Sequence, residues 1–284
     1  MEVAIQRPEA QRMGFFTDTT VCIGCKACEV ACKQWNDLPA DELQPSQSYD
    51  ATRSLSASTW RHVRFVETLT LLEPEPEPTL NFVEAALGAT LDRWVFMSDV
   101  CKHCTNAGCL DACPTGALIR TEFDTVIVQP DVCNGCGYCV PSCPFGVIDR
   151  DPYDGRAAKC TLCYDRLEDG LEPACAKACP TDSIQFGPYD ELVERAEARV
   201  ATLQERGLEG AYLYGAGEGI EPLAGGLGAF FLLTEPPERY GLPAHADSPS
   251  QQNGPIATAA GLGAAVAAIG VALGSFAAAY RRKR

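Results

Sequence analysis

The sixteen cysteines of this 284-residue chain fall into four groups of four with none left over, and their spacing constrains the fold more than any other feature. The first group is Cys22-x2-Cys25-x2-Cys28-x3-Cys32, and the third repeats it as Cys133-x2-Cys136-x2-Cys139-x3-Cys143. The second, Cys101-x2-Cys104-x4-Cys109-x3-Cys113, and the fourth, Cys160-x2-Cys163-x11-Cys175-x3-Cys179, keep the opening pair and the closing step while lengthening the middle. The chain is an internal repeat built around thiols. Hydrophobic residues make up 46% of it, but part of that is cysteine and part sits in one C-terminal run, so the aliphatic core is thin for the length. Something other than aliphatic burial must hold the middle together.

Pro114, Pro144 and Pro180 follow the last cysteine of groups two, three and four, whereas Lys33 takes that place in group one. Three groups thus end in the C-P step of bacterial ferredoxins, in which the fourth cysteine ligates the other cluster of a pair. A four-iron cubane presents four corners, and one tight loop with two residues between ligands reaches three of them. Gly24, Gly135 and Gly137 free such loops to turn backbone N–H groups toward sulfur. Disulfides would have to join cysteines crowded on the same loop, where the pairing geometry is poor. Zinc sites use two C-x2-C knuckles and a long spacer, whereas groups one and three each put three cysteines within seven residues. Four 4Fe-4S clusters are the reading that the spacing favours.

Groups two and three are separated by only the 19 residues 114–132, the length of a hairpin and helix, so they form one two-cluster unit. Groups one and four then pair across it. With fourth cysteines exchanged, the expected ligand sets are Cys22, Cys25, Cys28 with Cys179; Cys160, Cys163, Cys175 with Cys32; Cys101, Cys104, Cys109 with Cys143; and Cys133, Cys136, Cys139 with Cys113. The expected fold class is α+β: two bacterial-ferredoxin-like two-cluster units, one inserted in the other, plus a single C-terminal transmembrane helix. In chain order this gives the outer unit's first part with an insertion (1–91), the inserted unit (92–150), the rest of the outer unit (151–188), a helix and capping segment (189–243), a mobile linker (244–255), the span (256–280) and a basic tail (281–284).

Short strands are predicted at 115–120 and 125–130 around a turn at 122–124, at 145–148 (FGVI), at 182–186 (DSIQF) and within 58–68. Residues 189–207 predict an amphipathic helix with Leu192, Val193, Ala196, Val200 and Leu203 on one side and Gly207 as its stop. The EPEPEP run at 73–78 excludes helix and inner strand and reads as a solvated polyproline-type loop.

Lys and Arg number 23 against 38 Asp and Glu, and the formal charge of -15 argues against nucleic acid as a partner. The sequence holds no nucleophile–base constellation and no P-loop. Its Gly215-x-Gly217-x-Gly219 run lacks a following amphipathic helix and meets Pro222, so it reads as a loop. No catalytic residue is assigned. His103, inside the Cys101–Cys104 loop, reads either as a spacer or as a hydrogen-bond donor to cluster sulfur.

Residues 256–280 carry no charge and would make a helix of about 37 Å, enough to cross a hydrocarbon core of about 30 Å. However, 15 of these 25 residues are Ala or Gly, so an isolated segment would insert only marginally, and a buried or interfacial helix stands as the alternative. Leu262, Val266, Ile269, Leu273, Phe276 and Tyr280 form a bulky stripe beside the small residues Gly263, Ala267, Gly270 and Gly274. Small residues let another helix approach closely, so a membrane partner is expected. Arg281, Arg282, Lys283 and Arg284 then leave the tail in the cytoplasm and the cluster units outside. The first 20 residues show no apolar signal region or twin-Arg sequence, so export would need a partner carrying the signal; a cytoplasmic cluster domain is the alternative.

The segments CIGCKACEVACKQWND at 22–37, KHCTNAGCLDACP at 102–114, CNGCGYCVPSCPF at 133–145, KCTLCYDRLEDGLEPACAKACPT at 159–181 and EPPERYGLP at 235–243 resemble the iron–sulfur beta subunit of membrane-bound respiratory formate dehydrogenase. The resemblance to this four-cluster ferredoxin-type family covers most of the chain. It implies an electron wire of anaerobic respiration between a molybdenum- or tungsten-pterin catalytic subunit oxidising formate and a membrane cytochrome b that reduces quinone. It further implies that the cluster held by Cys22, Cys25 and Cys28 lies nearest the catalytic subunit and the one held by Cys160, Cys163 and Cys175 nearest the haem. Related subunits serve nitrate, dimethyl sulfoxide and polysulfide reductases and some hydrogenases. The nitrate branch loses one cysteine and holds a three-iron cluster, whereas Cys109 and all the others are present here. The equivalent subunit of a membrane-bound hydrogenase or sulfur-compound reductase, and a stand-alone multi-cluster ferredoxin, are the alternatives.

Overall fold

In the computed structural model of the chain, residues 11–40, 50, 52, 54–71, 89–217 and 223–282 are described. Strand β1 (Met13–Asp18) leads into the first cysteine group and α1 (Ala27–Trp35), and β2 (Arg61–Leu71) and β3 (Ala89–Val100) form a long antiparallel arm. The remaining cysteines sit among α2 (Gly108–Asp111), β4 (Leu118–Arg120), β5 (Val126–Val128), β6 (Asp149–Arg150), β7 (Ala157–Ala158), α3 (Tyr164–Glu168) and α4 (Ala174–Lys177). Then come β8 (Ile184–Pro188), α5 (Tyr189–Glu205), β9 (Tyr212–Tyr214), β10 (Ala229–Leu233) and α6 (Pro249–Arg282).

One four-stranded sheet, ordered β8-β1-β10-β9, organises the whole. β1 runs parallel to β10, with Phe15 opposite Ala229, and antiparallel to β8, with Thr17 opposite Ile184. Side chains alternate across a strand, so Phe16 turns into a core shared with α5 while Phe15 turns toward Cys28, Cys160 and Cys175. Covered on both faces, β10 reads AFFLL with every residue buried, an apolar run rather than an alternation. The predicted helix is present as α5. Leu192, Ala196 and Leu203 are buried, Val193 and Val200 pack beside them, and the chain leaves the helix at Arg206 and Gly207, whose φ is 90°. Full burial of Leu192 contributes about 1.5–3 kcal/mol, and Leu192→Ala should cost about 2–5 kcal/mol by opening a cavity under the sheet.

Two antiparallel strand pairs position the cysteines. Leu118 lies opposite Val128 in β4–β5, and Cys113 precedes the first by five residues while Cys133 follows the second by five. Thr17 lies opposite Ile184 in β1–β8, and Cys22 follows the first by five while Cys179 precedes the second by five. An antiparallel pair sets the residues after one strand beside those before the other. Both pairs therefore bring the last cysteine of one group to the first cysteine of another.

The predicted strands near 115–120, 125–130, 182–186 and 58–68 are β4, β5, β8 and β2. FGVI at 145–148 is not a strand: Gly146 has φ 61°, Val147 and Ile148 are buried in a loop, and pairing begins only at Asp149. EPEPEP and Gly219 lie outside the described residues. Within the linker expected at 244–255 the structure has helix from Pro249 on. Helix α6 begins at Pro249, a residue suited to the first helical position because the N–H it lacks has no partner there, and Ser248 and Ala246 are buried. Ser248 lies against Asp111, its Oγ 3.5 Å from the carboxylate. The single transmembrane span needs a correction too: α6 has 34 residues, but among the described residues no helix is long and apolar enough to cross a membrane. Length suffices for α6; its Ala- and Gly-rich composition leaves too little apolar surface.

Candidate metal centres

One cavity is walled by Cys22, Cys25, Cys28 and Cys179, with Ser98 and Ser183 beside them. A second is walled by Cys101, Cys104, Cys109 and Cys143, with His103 and Lys159. Each takes its fourth cysteine from a different group. Cys139 lies in the field of Cys113, Cys133 and Cys136, and Cys32 in that of Cys175, Cys163 and Cys28. All sixteen are free thiols. Among the described residues no three Cys, His, Asp or Glu side chains meet closely enough to share one metal ion, and a four-iron cubane instead spreads its thiolates over four corners.

The groups stand in a row. Cys160 lies in the field of both Cys32 and Cys101 and packs in one cluster with Cys28, Cys101 and Cys175, while Cys109 lies in the field of both Cys101 and Cys139 and packs with Cys139 in another. The group containing Cys160 is therefore interior, and the expectation that it stands at the haem-facing end is corrected. The reason is topological: β8 pairs with β1, so group four lies against group one, with α1 packed on α4. The ends of the row are Cys22, Cys25 and Cys28 on one side and Cys133, Cys136 and Cys139 on the other.

In every group the second residue after the first cysteine has a positive φ: Gly24 at 67°, His103 at 43°, Gly135 at 73° and Leu162 at 59°. That conformation turns consecutive N–H groups inward as an anion nest. The Leu162 N–H reaches Cys160 Sγ at 3.3 Å, and the Ala157 N–H reaches Cys133 Sγ at 3.4 Å. The glycines were legible in the sequence as loop-formers, but His103 and Leu162 were not. For a side chain the left-handed region costs about 1–2 kcal/mol, and only the register of the repeat could have flagged it there.

Burial pushes the thiols of Cys28, Cys32 and Cys109 up to about 12 and those of Cys139 and Cys163 to about 11, and it raises Cys104 and Cys160 as well. Buried thiols stay protonated until a metal displaces the proton. Cys113 goes the other way: slight burial raises it, but the N–H groups of Leu118 and Thr115 outweigh that and hold it below the ordinary thiol value. Among the described residues three cations are fully buried beside these thiols: Arg61, Lys102 and Lys159. Lys102 pairs with Asp99, and Lys159 donates to the carbonyls of Val126 and Cys160. The Val126 N–H donates to His103 Nδ1 at 3.1 Å, so Nε2 carries the proton. That Nε2 is buried without a partner among the described residues, and the ring walls the second cavity. The structure thus favours the donor reading of His103 over the spacer. Thiol quartets, inward N–H groups, buried cations and an orphaned donor together suit an anionic iron–sulfur cluster, which supplies one-electron transfer when bound. The chain's own part is to fix spacing, exclude water and stabilise negative charge.

The same reading comes from known proteins. A family model described as a 4Fe-4S dicluster domain matches residues 92–189, and a second of the same description matches 21–117. The chain is 41% identical over 239 residues to the formate dehydrogenase iron–sulfur subunit of Haemophilus influenzae, covering 84% of this chain and 66% of that protein. It is 42% identical over 230 residues to the nitrate-inducible formate dehydrogenase iron–sulfur subunit of Escherichia coli, covering 80% and 70%. A subunit of the anaerobic dimethyl sulfoxide reductase of Escherichia coli is 33% identical over 179 residues, covering 63% and 75%. The chain spans about two thirds of the length of the formate dehydrogenase relatives it matches. Similarity that runs through both dicluster modules, and that is higher to these relatives than to the sulfoxide reductase subunit, assigns the chain to the family of formate dehydrogenase iron–sulfur subunits, electron-transfer chains carrying four 4Fe-4S clusters.

Proposed function

We propose that the chain passes electrons from a formate-oxidising molybdenum- or tungsten-pterin subunit to a membrane cytochrome b and on to quinone. The observation that carries this reading is the row of cysteine quartets with accessible ends: Cys25 and Cys136 are exposed, whereas Cys160 in the interior is buried. A buried middle keeps water out, and open ends let a partner's redox centre approach. In this reading the ligand sets are those expected from the exchange of fourth cysteines, supported by the two walled cavities and the five-residue offsets of both strand pairs. Electrons enter at Cys22, Cys25, Cys28 and Cys179, pass Cys160, Cys163, Cys175 and Cys32, then Cys101, Cys104, Cys109 and Cys143, and leave at Cys133, Cys136, Cys139 and Cys113. The inserted unit is 92–150, and the outer unit closes around it.

Exposed apolar side chains flank both ends, Ile23 and Val30 at the entrance and Val132 and Tyr138 at the exit, as surfaces awaiting a partner do. Along α6, Leu262, Val266, Ile269, Val271 and Leu273 are all more than half exposed. Too weak to cross a bilayer alone, α6 enters it in this proposal only packed on the cytochrome's helices, with its small residues at the contact, the cluster units extracytoplasmic and the basic tail cytoplasmic. A hydrogenase or sulfur-compound reductase partner is less well supported, because identity to the sulfoxide reductase subunit is 33% against 42%.

Anaerobic purification of the membrane complex tests the proposal. It should yield a large subunit with Mo or W and formate activity, a cytochrome b, and about sixteen irons and sixteen acid-labile sulfides in this chain. About twelve irons, stoichiometric zinc, or a large partner without pterin metal would refute it. Truncation after Ser248 should keep the irons and dye reduction while abolishing quinone reduction; full quinone reduction would overturn the role of α6.

A further inference from the structure

Arg61 is 1% exposed, and none of the ion pairs among the described residues joins it to a carboxylate. Its Nη2 donates to Cys175 Sγ at 3.2 Å, and its Nη1 donates to the Ser98 carbonyl at 3.3 Å and lies 3.2 Å from Ser98 Oγ. Ser98 Oγ in turn lies 3.2 Å from Cys28 Sγ. The guanidinium also lies over the Phe15 ring, 4.7 Å from its centroid, and its buried Nε has no partner among the described residues. A continuous polar bridge thus runs from Cys28 through Ser98 and Arg61 to Cys175.

A buried cation without a compensating charge is expensive, by several kcal/mol. Lys102 avoids this through Asp99. Among the described residues the polar groups within reach of the guanidinium are Cys175 Sγ, the Ser98 carbonyl and hydroxyl and, through that hydroxyl, Cys28 Sγ. An anion carried by those sulfurs would balance it.

We propose that Arg61 and Ser98 are positioning residues that raise, together, the reduction potentials of the first two clusters of the row, those held through Cys28 and Cys175. This rests on the ligand sets proposed above. An added electron makes each cluster more negative, and a fixed positive charge in a dry site favours that state over the oxidised one. The bridge links one thiolate of each cluster, so both respond to one guanidinium. Its polar atoms also fill the gap between the two with hydrogen-bonded contacts instead of a void. A merely structural Arg61, clamping β2 to β3 through the Ser98 carbonyl, would leave the potentials where they are.

The test is an EPR-monitored redox titration of the anaerobically purified complex, with signals assigned from Cys25→Ser and Cys136→Ser. Arg61→Met should lower the reduced-to-oxidised ratio of the first two clusters at least about tenfold at a fixed poise, equivalent to about 59 mV for a one-electron couple, and leave the two clusters beyond them unmoved. Arg61→Lys should recover most of that loss. Ser98→Ala, which keeps the charge and the fold, should shift the first cluster alone by about threefold, the size of one hydrogen bond. If Arg61→Met fails to assemble, Ser98→Ala and Arg61→Lys decide. An unshifted first cluster in Ser98→Ala, or an Arg61→Lys ratio displaced equally in all four clusters, overturns the bridge. Wild-type iron near twelve or a shift confined to the far clusters would instead overturn the ligand sets, so the two failures differ.

Discussion

In the inserted unit, β4 and β5 close through a turn in which the Thr121 and Thr125 hydroxyls, four residues apart, lie within 2.8 Å; in the outer unit, β1 and β8 meet across 165 residues, with Ser183 Oγ donating to the Asp18 carbonyl at 2.7 Å. Loop-closure entropy alone disfavours the second arrangement by about 3 kcal/mol. The outer unit offsets that with burial and cross-ties. Cys28, Cys32, Cys160, Cys163 and Cys175 are buried, whereas in groups two and three only Cys101 and Cys139 are. Trp35 donates to Asp165 at 2.8 Å and carries the Arg166 guanidinium 4.2 Å over its ring, joining group one to group four. The same thiol cage can therefore be closed locally with fewer of its cysteines buried, or closed at long range with most of them buried. Dryness strengthens the pull of a fixed charge on a nearby anion, and the buried cation Arg61 lies in this drier outer unit.

The largest expected effect separates the units by cysteine replacement. Cys28→Ala removes a buried thiol on which the closure of the outer unit depends, and should cut the yield of assembled, partner-bound subunit at least about tenfold, as a loss of several kcal/mol in a marginally stable fold does. Cys136→Ala, at an exposed corner of the inserted unit, should leave assembly intact and remove about four irons of sixteen. Yield and iron per chain, measured anaerobically, check both. Equal losses in the two variants would break the comparison.

A smaller effect sharpens it. Cys113→Ala should damage the cluster held by Cys133, Cys136 and Cys139 and spare the one held by Cys101, Cys104 and Cys109, because β4–β5 carries Cys113 to Cys133 and away from its own loop. EPR resolving those two clusters reads the outcome, and damage confined to group two would show that fourth ligands are not exchanged.

How much of this was legible in the sequence depends on range. Cysteine spacing is local, so the four groups, the β4–β5 hairpin and α5 could be read directly. The row order could not, because it depends on β1 finding β8 and β10 far along the chain, and the family resemblance pointed to the wrong end. FGVI had strand composition, but Gly146 turned it aside. The C-terminal segment was rightly read as helix, yet its start at Pro249 was missed because a Pro-, Ser- and Gln-rich stretch looks like a tether until Ser248 is seen buried beside Asp111. Arg61 gave no signal at all, since a lone Arg in a strand is ordinary and only its neighbours make it otherwise.

The smallest expected effects compare the loops themselves. A Cβ on Gly135 of the inserted unit would stand 2.7 Å from the Gly155 carbonyl oxygen, and one on Gly24 of the outer unit 2.7 Å from the Phe96 ring, both at positive φ. Gly146 also has a positive φ, 61°, but nothing lies within 4 Å of the added atom. The Gly155 carbonyl is backbone and accepts from Arg150 Nε at 3.1 Å, so it cannot rotate away. Phe96 packs edge-on against Phe65 and Trp94, with centroids 4.8 and 6.0 Å away, and can rock by a few tenths of an ångström. Gly135→Ala should therefore cost about 3 kcal/mol, Gly24→Ala about 2 and Gly146→Ala about 1, the last being backbone strain alone. Cluster loss is irreversible, so the measurement is the rate of absorbance bleaching at one urea concentration under argon. The expected order is Gly135→Ala fastest, then Gly24→Ala, then Gly146→Ala. If Gly24→Ala bleached faster than Gly135→Ala, the aromatic packing over the outer unit would be stiffer than the inserted unit's backbone turn, and the burial that offsets long-range closure would also be what makes the outer loop unforgiving.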